Sequence, residues 1–272
     1  MIIVTGGAGF IGSNFILKWM SQSKESILNI DCLSYAANLN NLKAIEDDER
    51  YSFSRTNISD EIDIFTILNK EKPRAILNFA AESHVDRSIE GPENFIQTNV
   101  IGTYSLLEAS LKYWKDLVGK EKENFRFFHV STDEVFGSLN INDEKSTEES
   151  PYRPNSPYSA SKAASDHLVR AWHHTFKMPT LISNCTNNYG PHQHQEKLIP
   201  LIITNALENK NLPIYGDGKN IRDWLYVEDH VEAIDLILHK GKIGETYLIG
   251  GDNEQRNIDL VYKLIKIKFH NF

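Results

Sequence analysis

The sequence predicts an α/β protein built on a doubly wound parallel sheet, with a smaller C-terminal lobe behind it. Two observations carry that expectation. Short apolar runs that read as strands alternate with longer runs that read as helices, the pattern of parallel strands joined by crossovers. The first apolar run, residues 1–5, leads straight into a glycine-rich turn that opens a helix. A length of 272 residues suits one large α/β domain, or such a domain with a companion.

Taken in order, residues 1–5 are a buried strand, 6–12 the glycine turn and 13–20 a helix. Residues 26–30 form a second apolar strand that ends at Asp31. Residues 75–79 and 125–131 are further strands, and 62–70 and 93–113 lie between them as helices. The polar stretch 137–157, with Pro151, Pro154 and Pro157, reads as a loop over the strand ends. Residues 159–174 and 229–240 return to helix. Beyond Asn184 the pattern loosens, with Pro191, Pro200 and Pro213. The expected division is a cofactor domain over 1–185, rejoined by 226–250, and a partial substrate lobe from 186–225 and 251–272. In a doubly wound sheet ligands bind beyond the carboxyl ends of the strands, so the chemistry is expected there.

The glycine turn is Thr5-Gly6-Gly7-Ala8-Gly9-Phe10-Ile11-Gly12, in which Gly7, Gly9 and Gly12 satisfy G-x-G-x-x-G. Glycine lets the backbone turn tightly and approach a pyrophosphate, whose charge a helix N-terminus stabilises. A lone match of this kind is weak. Here a strand precedes it, a helix follows it, and Asp31 ends the next strand at about the twenty-residue offset of a Rossmann-type dinucleotide site. Asp31 should accept hydrogen bonds from an adenosine ribose and repel a 2′-phosphate, which favours NAD over NADP.

Tyr158 and Lys162 are four residues apart on an expected helix and so share a face. A free tyrosine, with a pKa of about 10, is a poor base at neutral pH. A nearby ammonium and a positive nicotinamide ring would favour its phenolate, which could then take the proton of a sugar hydroxyl. Thr132-Asp133-Glu134 follows the strand 125–131. Loss of water beside a ketone needs one group to remove a proton from carbon and another to protonate the departing hydroxyl. Two carboxyl groups in different protonation states can divide that labour.

Other function classes are disfavoured. A formal net charge of −8 argues against a nucleic-acid binder. No run is apolar for long enough to span a bilayer, and a strand at the very start leaves no room for a secretory signal. Cys32 and Cys185 lack metal-ligand spacing and fit a reducing cytoplasm. His173 and His174, and His192 and His194, are not completed by other ligands, so no metal is expected.

With these motifs in hand, the chain resembles the dTDP-glucose 4,6-dehydratases of the extended short-chain dehydrogenase/reductase superfamily. The resemblance runs from Ile2 to about Asn257. It rests on the glycine turn, Ala80-Ala81-Glu82-Ser83-His84-Val85-Asp86-Arg87-Ser88, Ser131-Thr132-Asp133-Glu134-Val135 and Tyr158-Ser159-Ala160-Ser161-Lys162. It continues in Asn184-Cys185-Thr186-Asn187-Asn188-Tyr189-Gly190-Pro191, Glu196-Lys197-Leu198-Ile199-Pro200 and Arg222-Asp223-Trp224-Leu225-Tyr226-Val227-Glu228-Asp229.

The resemblance implies a three-stage reaction on bound NAD that yields a 4-keto-6-deoxy sugar nucleotide. Tyr158 would be the base at C4, Thr132 would hydrogen-bond the same oxygen, and Lys162 would tune Tyr158 and hold the nicotinamide ribose. Glu134 would take the C5 proton and Asp133 would protonate the leaving C6 hydroxyl. Gly6, Gly9, Phe10, Ile11, Gly12, Asp31, Asn57, Ile58, Ala80, Ala81, Asn99 and Ser131 would approach the cofactor, with Tyr158 and Lys162. Ser83, His84 and Val85 would lie near the glucosyl group. Asn187, Lys197, Leu198, Pro213, Tyr215, Arg222 and Asn257 would bind the nucleoside diphosphate. A homodimer is implied through helices around 95–113 and 159–174. The chain departs from the family at Asn57, often Asp, and at Phe136, commonly Tyr. It also ends at Phe272, where family members continue, so the C-terminal lobe reads as truncated. A non-catalytic sugar-nucleotide binder and a sugar-nucleotide 4-epimerase stay open as alternatives. Asp133 and Glu134 weigh against the epimerase, which needs no elimination pair.

Overall fold

A computed structural model describes residues 1–140, 142–214 and 216–270. The main sheet has seven strands. In chain order they are β1 (Ile2–Thr5), β2 (Ile27–Ile30), β3 (Tyr51–Ser54), β4 (Ala75–Asn78), β5 (Arg126–Thr132), β6 (Thr180–Cys185) and, after two strands of a second sheet, β9 (Thr246–Ile249). They stand in the order β3-β2-β1-β4-β5-β6-β9, and every pairing is parallel. The chain therefore starts in the middle, winds out to β3, and crosses back to β4 before winding the other way. The strand order reverses between β1 and β4, and the crevice beyond Thr5 and Asn78 is where such a sheet takes a ligand.

The helices are α1 (Phe10–Gln22), α2 (Glu61–Glu71), α3 (Val85–Glu90), α4 (Pro92–Phe95), α5 (Thr103–Asp116), α6 (Gly119–Asn124), α7 (Pro157–Phe176), α8 (Leu198–Leu207), α9 (Val227–Lys240) and α10 (Asn257–His270). Side chains alternate across a strand, so β1 feeds two cores. Ile2 and Val4 join Phe15, Ile16 and Trp19 of α1 and Val231 and Ile234 of α9 on one face. Ile3 joins Ile64 and Leu68 of α2, Leu106 and Leu107 of α5 and Val169 of α7 on the other. A small second sheet follows the main one. Its strands β7 (Asn187–Tyr189), β8 (Ile221–Tyr226) and β10 (Glu254–Arg256) stand in the order β10-β8-β7, with β10 antiparallel and β7 parallel to β8.

Three local features differ from the sequence expectation. The first helix starts at Phe10, inside the glycine turn, because Gly9 is its N-cap. The stretch 93–113 is not one uniform helix: a π-helical turn, Ile96–Gly102, joins α4 to α5. Strands β3 and β6 carry no clear apolar run. β6 is wholly buried, yet it includes Ser183 and Asn184.

Candidate functional site

The glycine turn is built so that only glycine fits where backbones meet. Gly6 has φ +69°, and a Cβ there would lie 2.6 Å from the backbone nitrogen of Ala80. A Cβ on Gly12 would lie 2.4 Å from the Gly6 carbonyl oxygen. The turn thus packs directly on the segment after β4. No acidic residue sits in the first turn of α1, so nothing local opposes the positive end of its dipole. Asp31 leaves β2 beside this turn. Its Oδ2 accepts from the Ala8 N–H at 3.0 Å and its Oδ1 from the Leu33 N–H at 2.8 Å. Each carboxylate oxygen has a second lone pair free for a hydroxyl. Burial pushes the Asp31 carboxyl up, and the two backbone N–H groups pull it back.

Thr132 ends β5, and Asp133 and Glu134 follow in a single 3₁₀ turn over Asp133–Phe136. The Thr132 hydroxyl donates to Asp133 Oδ1 at 3.3 Å and accepts from the Glu134 N–H at 3.3 Å. This fixes both carboxyl groups at the ligand end of the sheet. Their environments differ. Burial, then the Glu134 charge, pushes Asp133 up to about 6. Burial also raises Glu134, but Arg222 and Lys197 act against it. The pair is therefore set so that Asp133 holds a proton nearer to neutrality.

Helix α7 brings Tyr158 and Lys162 to the same place. Its start is fixed by Pro157 in the first turn and by a capping box in which Ser156 and Ser159 serve each other's backbone N–H. Tyr158 therefore stands in the first turn, 8% exposed, against the triplet. Burial, then the charge of Glu134, drives its phenol well above the usual tyrosine value, and the Thr132 hydroxyl acts in the opposite sense. Lys162 is 2% exposed and donates to the Val130 carbonyl at 2.9 Å. Burial lowers its ammonium to about 8, and Asp166 works to hold it up.

One cleft collects most of the residues singled out from sequence. Its walls include Gly6, Gly9, Phe10, Ile11, Gly12, Asp31, Asn57, Ile58, Ala80, Ala81, Ser131, Tyr158 and Lys162. Thr132, Asp133, Glu134, Ser83, Asn187 and Lys197 line it too. Asn99 stands behind the wall. It is 1% exposed, accepts from the Glu82 N–H at 2.9 Å, and donates to the Glu82 carbonyl at 3.0 Å and to Ser161 Oγ at 2.8 Å. It pins the loop after β4 to α7. His84 and Val85 open α3 beside the cleft without lining it, and His84 Nε2 lies 3.8 Å from Glu196. Leu198, Pro213, Arg222 and Asn257 are also outside the lining, and Pro213 and Arg222 are exposed. Arg222 is still close enough for its charge to act on both carboxyl groups. Tyr215 lies outside the described residues. Among the described residues, no three His, Cys, Asp or Glu side chains gather as a metal site would need.

Sequence reasoning passed over two groups near this cleft. At its mouth the Arg87 guanidinium lies 3.8 Å from the centre of the Tyr35 ring and 3.2 Å from Glu196, tying α3 to two loops. On its floor a polar chain runs inward from Lys162 through His129, Asn78 and Asp166, all almost fully buried. The signal for the floor was present: a histidine inside the apolar run Phe127-Phe128-His129-Val130, and an aspartate four residues after Lys162.

The GDP-mannose 4,6 dehydratase family model matches residues 3–270. A dTDP-glucose 4,6-dehydratase of Xanthomonas campestris pv. campestris (strain B100) is 57% identical over 259 residues, 95% of this chain and 73% of that one. Its counterpart from Haemophilus influenzae is 53% identical over 266 residues, covering 98% of this chain and 79% of that one. The crystal structure of dTDP-glucose 4,6-dehydratase from Bacillus anthracis, in complex with NAD, superposes with a TM-score of 0.88 at 47% identity, over 97% of this chain and 80% of that one. A UDP-glucose 4-epimerase from Thermotoga maritima superposes with a TM-score of 0.86 but at 27% identity, over 98% of this chain and 82% of that one.

Proposed function

The chain belongs to the dTDP-glucose 4,6-dehydratase family, and on that premise we propose how its residues divide the chemistry. It is an NAD-dependent lyase that converts dTDP-glucose to dTDP-4-keto-6-deoxyglucose and water. The observation that carries the proposal is the pairing of two unlike carboxyl groups, Asp133 and Glu134, beside the buried Tyr158 in the dinucleotide cleft.

The glycine turn and Asp31 would hold NAD, which would supply a positively charged ring and the hydride acceptor and donor of the cycle. The residues fit that group: only glycine can occupy position 6, and the Asp31 carboxylate keeps lone pairs for a ribose. Tyr158, with the Lys162 ammonium favouring its phenolate, takes the C4 hydroxyl proton. Thr132 holds the same oxygen. Glu134, whose ionised form Arg222 and Lys197 favour against the effect of burial, takes the proton from C5. Asp133, whose carboxyl burial pushes up to about 6, gives its proton to the C6 hydroxyl, which leaves as water. Glu134 then returns its proton to C5. The proton gained by Tyr158 replaces the one Asp133 gave, so the cycle closes with water as the only by-product.

The substrate contacts are assigned on resemblance, with Ser83, Asn187 and Lys197 also lining the cleft. Ser83, His84 and Val85 flank the sugar, while Asn187, Lys197, Leu198, Pro213, Arg222 and Asn257 hold the nucleoside diphosphate, with Tyr215 assigned on resemblance alone. Arg222 suits a diphosphate, since its planar fork pairs two oxygens at once. The domain division proposed is 1–185 with 226–250 for the cofactor and the remainder for the substrate. A second copy would pack on the outer face of the π-helical turn, α5 and α7, where Ile96, Ile101, Tyr104 and Phe176 are exposed. Light scattering on the purified chain tests that dimer. A cytoplasmic location is the reading in keeping with two free cysteines and a nucleotide substrate.

Incubation with dTDP-glucose and UDP-glucose side by side tests the reading. A 4-keto product from the first, and little from the second, is expected. Intact dTDP-glucose after long incubation with folded, NAD-loaded chain would overturn it, and dTDP-galactose as the product would make the chain an epimerase.

A further inference from the structure

The reaction leaves one group of buried charges without a task. Asp166 is 0% exposed and His129 1% exposed at their side chains. A buried carboxylate is costly unless it is paired or hydrogen-bonded. Asp166 Oδ2 accepts from the Tyr152 hydroxyl at 2.9 Å and from Asn184 Nδ2 at 2.9 Å. Its Oδ1 has no hydrogen-bond partner and faces His129 Nε2 at 3.5 Å. The same Nε2 lies 3.3 Å from Lys162 Nζ. The other ring nitrogen meets Asn78 Nδ2 at 3.1 Å, and Asn78 in turn accepts from the Thr5 hydroxyl at 2.7 Å. A continuous polar chain thus joins the last residue of β1, directly before the glycine turn, to the lysine of the catalytic pair.

Every titratable group that faces Lys162 can be placed. β5 brings His129, β6 brings Cys185, and α7 itself brings Tyr158 one turn before and Asp166 one turn after. β1 and β4 bring only the uncharged Thr5 and Asn78. Burial holds His129 neutral and pushes the Cys185 thiol up to about 12. Tyr158 stays a phenol in the chain alone. Burial raises the Asp166 carboxyl, and the Lys162 charge, with the Asn184 and Tyr152 hydrogen bonds, acts against it, so Asp166 is the group of the set placed to carry a negative charge opposite Lys162.

We propose that Asp166 and His129 are positioning residues for Lys162: the Asp166 carboxylate keeps the proton on a lysine that lies in a dry pocket, and His129 fixes where its ammonium points. The inference rests on the dehydratase reading, in which the charge of Lys162 favours the Tyr158 phenolate. Without Asp166, burial, which favours the neutral amine, would be set against only the uncharged contacts with Val130 and His129.

The test isolates the first stage. A dTDP-6-deoxyglucose has no C6 hydroxyl to lose, so the proton on Asp133 does not enter. The rate at which reduced-nicotinamide absorbance appears in a single turnover is followed against pH, with the folded, NAD-loaded protein. Loss of the Lys162 proton then gives an alkaline limb, whereas Tyr158, which must be ionised, gives an acidic one. Asp166→Asn should move the alkaline limb down by about one pH unit and leave the acidic limb in place. Sugar-nucleotide affinity should stay within about twofold of the parent chain. An alkaline limb at the parent position, or a loss of rate equal at every pH, overturns the proposal. If Asp166→Asn fails to fold, His129→Leu and His129→Gln decide. Leu should weaken the limb in the same direction, and Gln, whose amide oxygen can accept from the ammonium, should restore it; equal profiles for the two variants overturn the proposal. A parent chain that makes no 4-keto product from dTDP-glucose defeats the dehydratase reading itself, while an active parent with unmoved variant profiles defeats only this inference.

Discussion

The floor and the lip of the cleft are built on opposite plans. On the floor, Lys162, His129, Asn78 and Asp166 are almost wholly buried, and each touches at least two other polar groups of the chain. On the lip, Arg222 and Pro213 are exposed, and among the described residues the Arg222 guanidinium bonds only to the carbonyl of its own neighbour, Ile221, at 2.9 Å. The difference separates two tasks. Groups that move protons must be fixed in advance and kept dry, where electrostatic effects are large. Groups that hold a charged, soluble substrate can stay hydrated until it arrives. Floor changes should therefore act on turnover, and lip changes on affinity.

The largest effect expected is at Tyr158. Tyr158→Phe removes one hydroxyl from the floor and should lower kcat about 10³- to 10⁴-fold with KM nearly unchanged. Glu134→Gln should cost about 10²- to 10⁴-fold in product formation, but oxidation at C4 should survive, so reduced-nicotinamide absorbance should build up on mixing. Stopped-flow absorbance beside a product assay reads both. A rise in KM that accounts for the lost kcat/KM in Tyr158→Phe would break the contrast, because it would make the floor a binding surface.

Next is the lip. Arg222→Ala should raise KM for dTDP-glucose about tenfold, the size of one charged hydrogen bond to a diphosphate, with the melting temperature unmoved. Its charge also draws Glu134 down, so kcat should fall, but only about two- to threefold. A collapse of kcat with KM intact would move Arg222 from the lip to the floor.

The floor was also the harder half to see in the sequence. The glycine turn, Asp31, the triplet and the Tyr158–Lys162 pair are contiguous or at fixed helical spacing, so local patterns reveal them. The chain Thr5–Asn78–His129–Lys162 joins residues from β1, β4, β5 and α7, and only the strand register brings them together. Strand β6 escaped notice for a related reason. Its Ser183 and Asn184 are polar, yet both are buried inside a strand, where Asn184 bonds Asp166. Asn99 was placed at the cofactor from resemblance. Its position in a π-helical turn, which turns its amide onto the Glu82 backbone, has no sequence period to announce it.

The smallest effect expected lies where floor and lip meet, at Asp133. Burial lifts its carboxyl to about 6, above the unfolded value of 3.8. The folded chain thus binds this proton more tightly than the unfolded chain. The stability that comes with the neutral form is fully present below about pH 3.8 and is lost as pH rises through about 6. Above that, an ionised Asp133 is a strain that the fold carries for the reaction. Asp133→Asn keeps the shape and removes the charge. Its melting temperature should match that of the parent chain near pH 4 and exceed it above pH 6. The gain should be about 1–2 kcal/mol once partial exposure is allowed for, or about 2–6 °C. Thermal unfolding of both chains across this pH range gives the difference directly. A gain that is already full at pH 4 would mean that shape and not charge sets the cost of Asp133, and the acid of the elimination would then have to be sought elsewhere. A gain that grows with pH, together with loss of product formation, would show stability given up at the one carboxyl group that has to keep its proton.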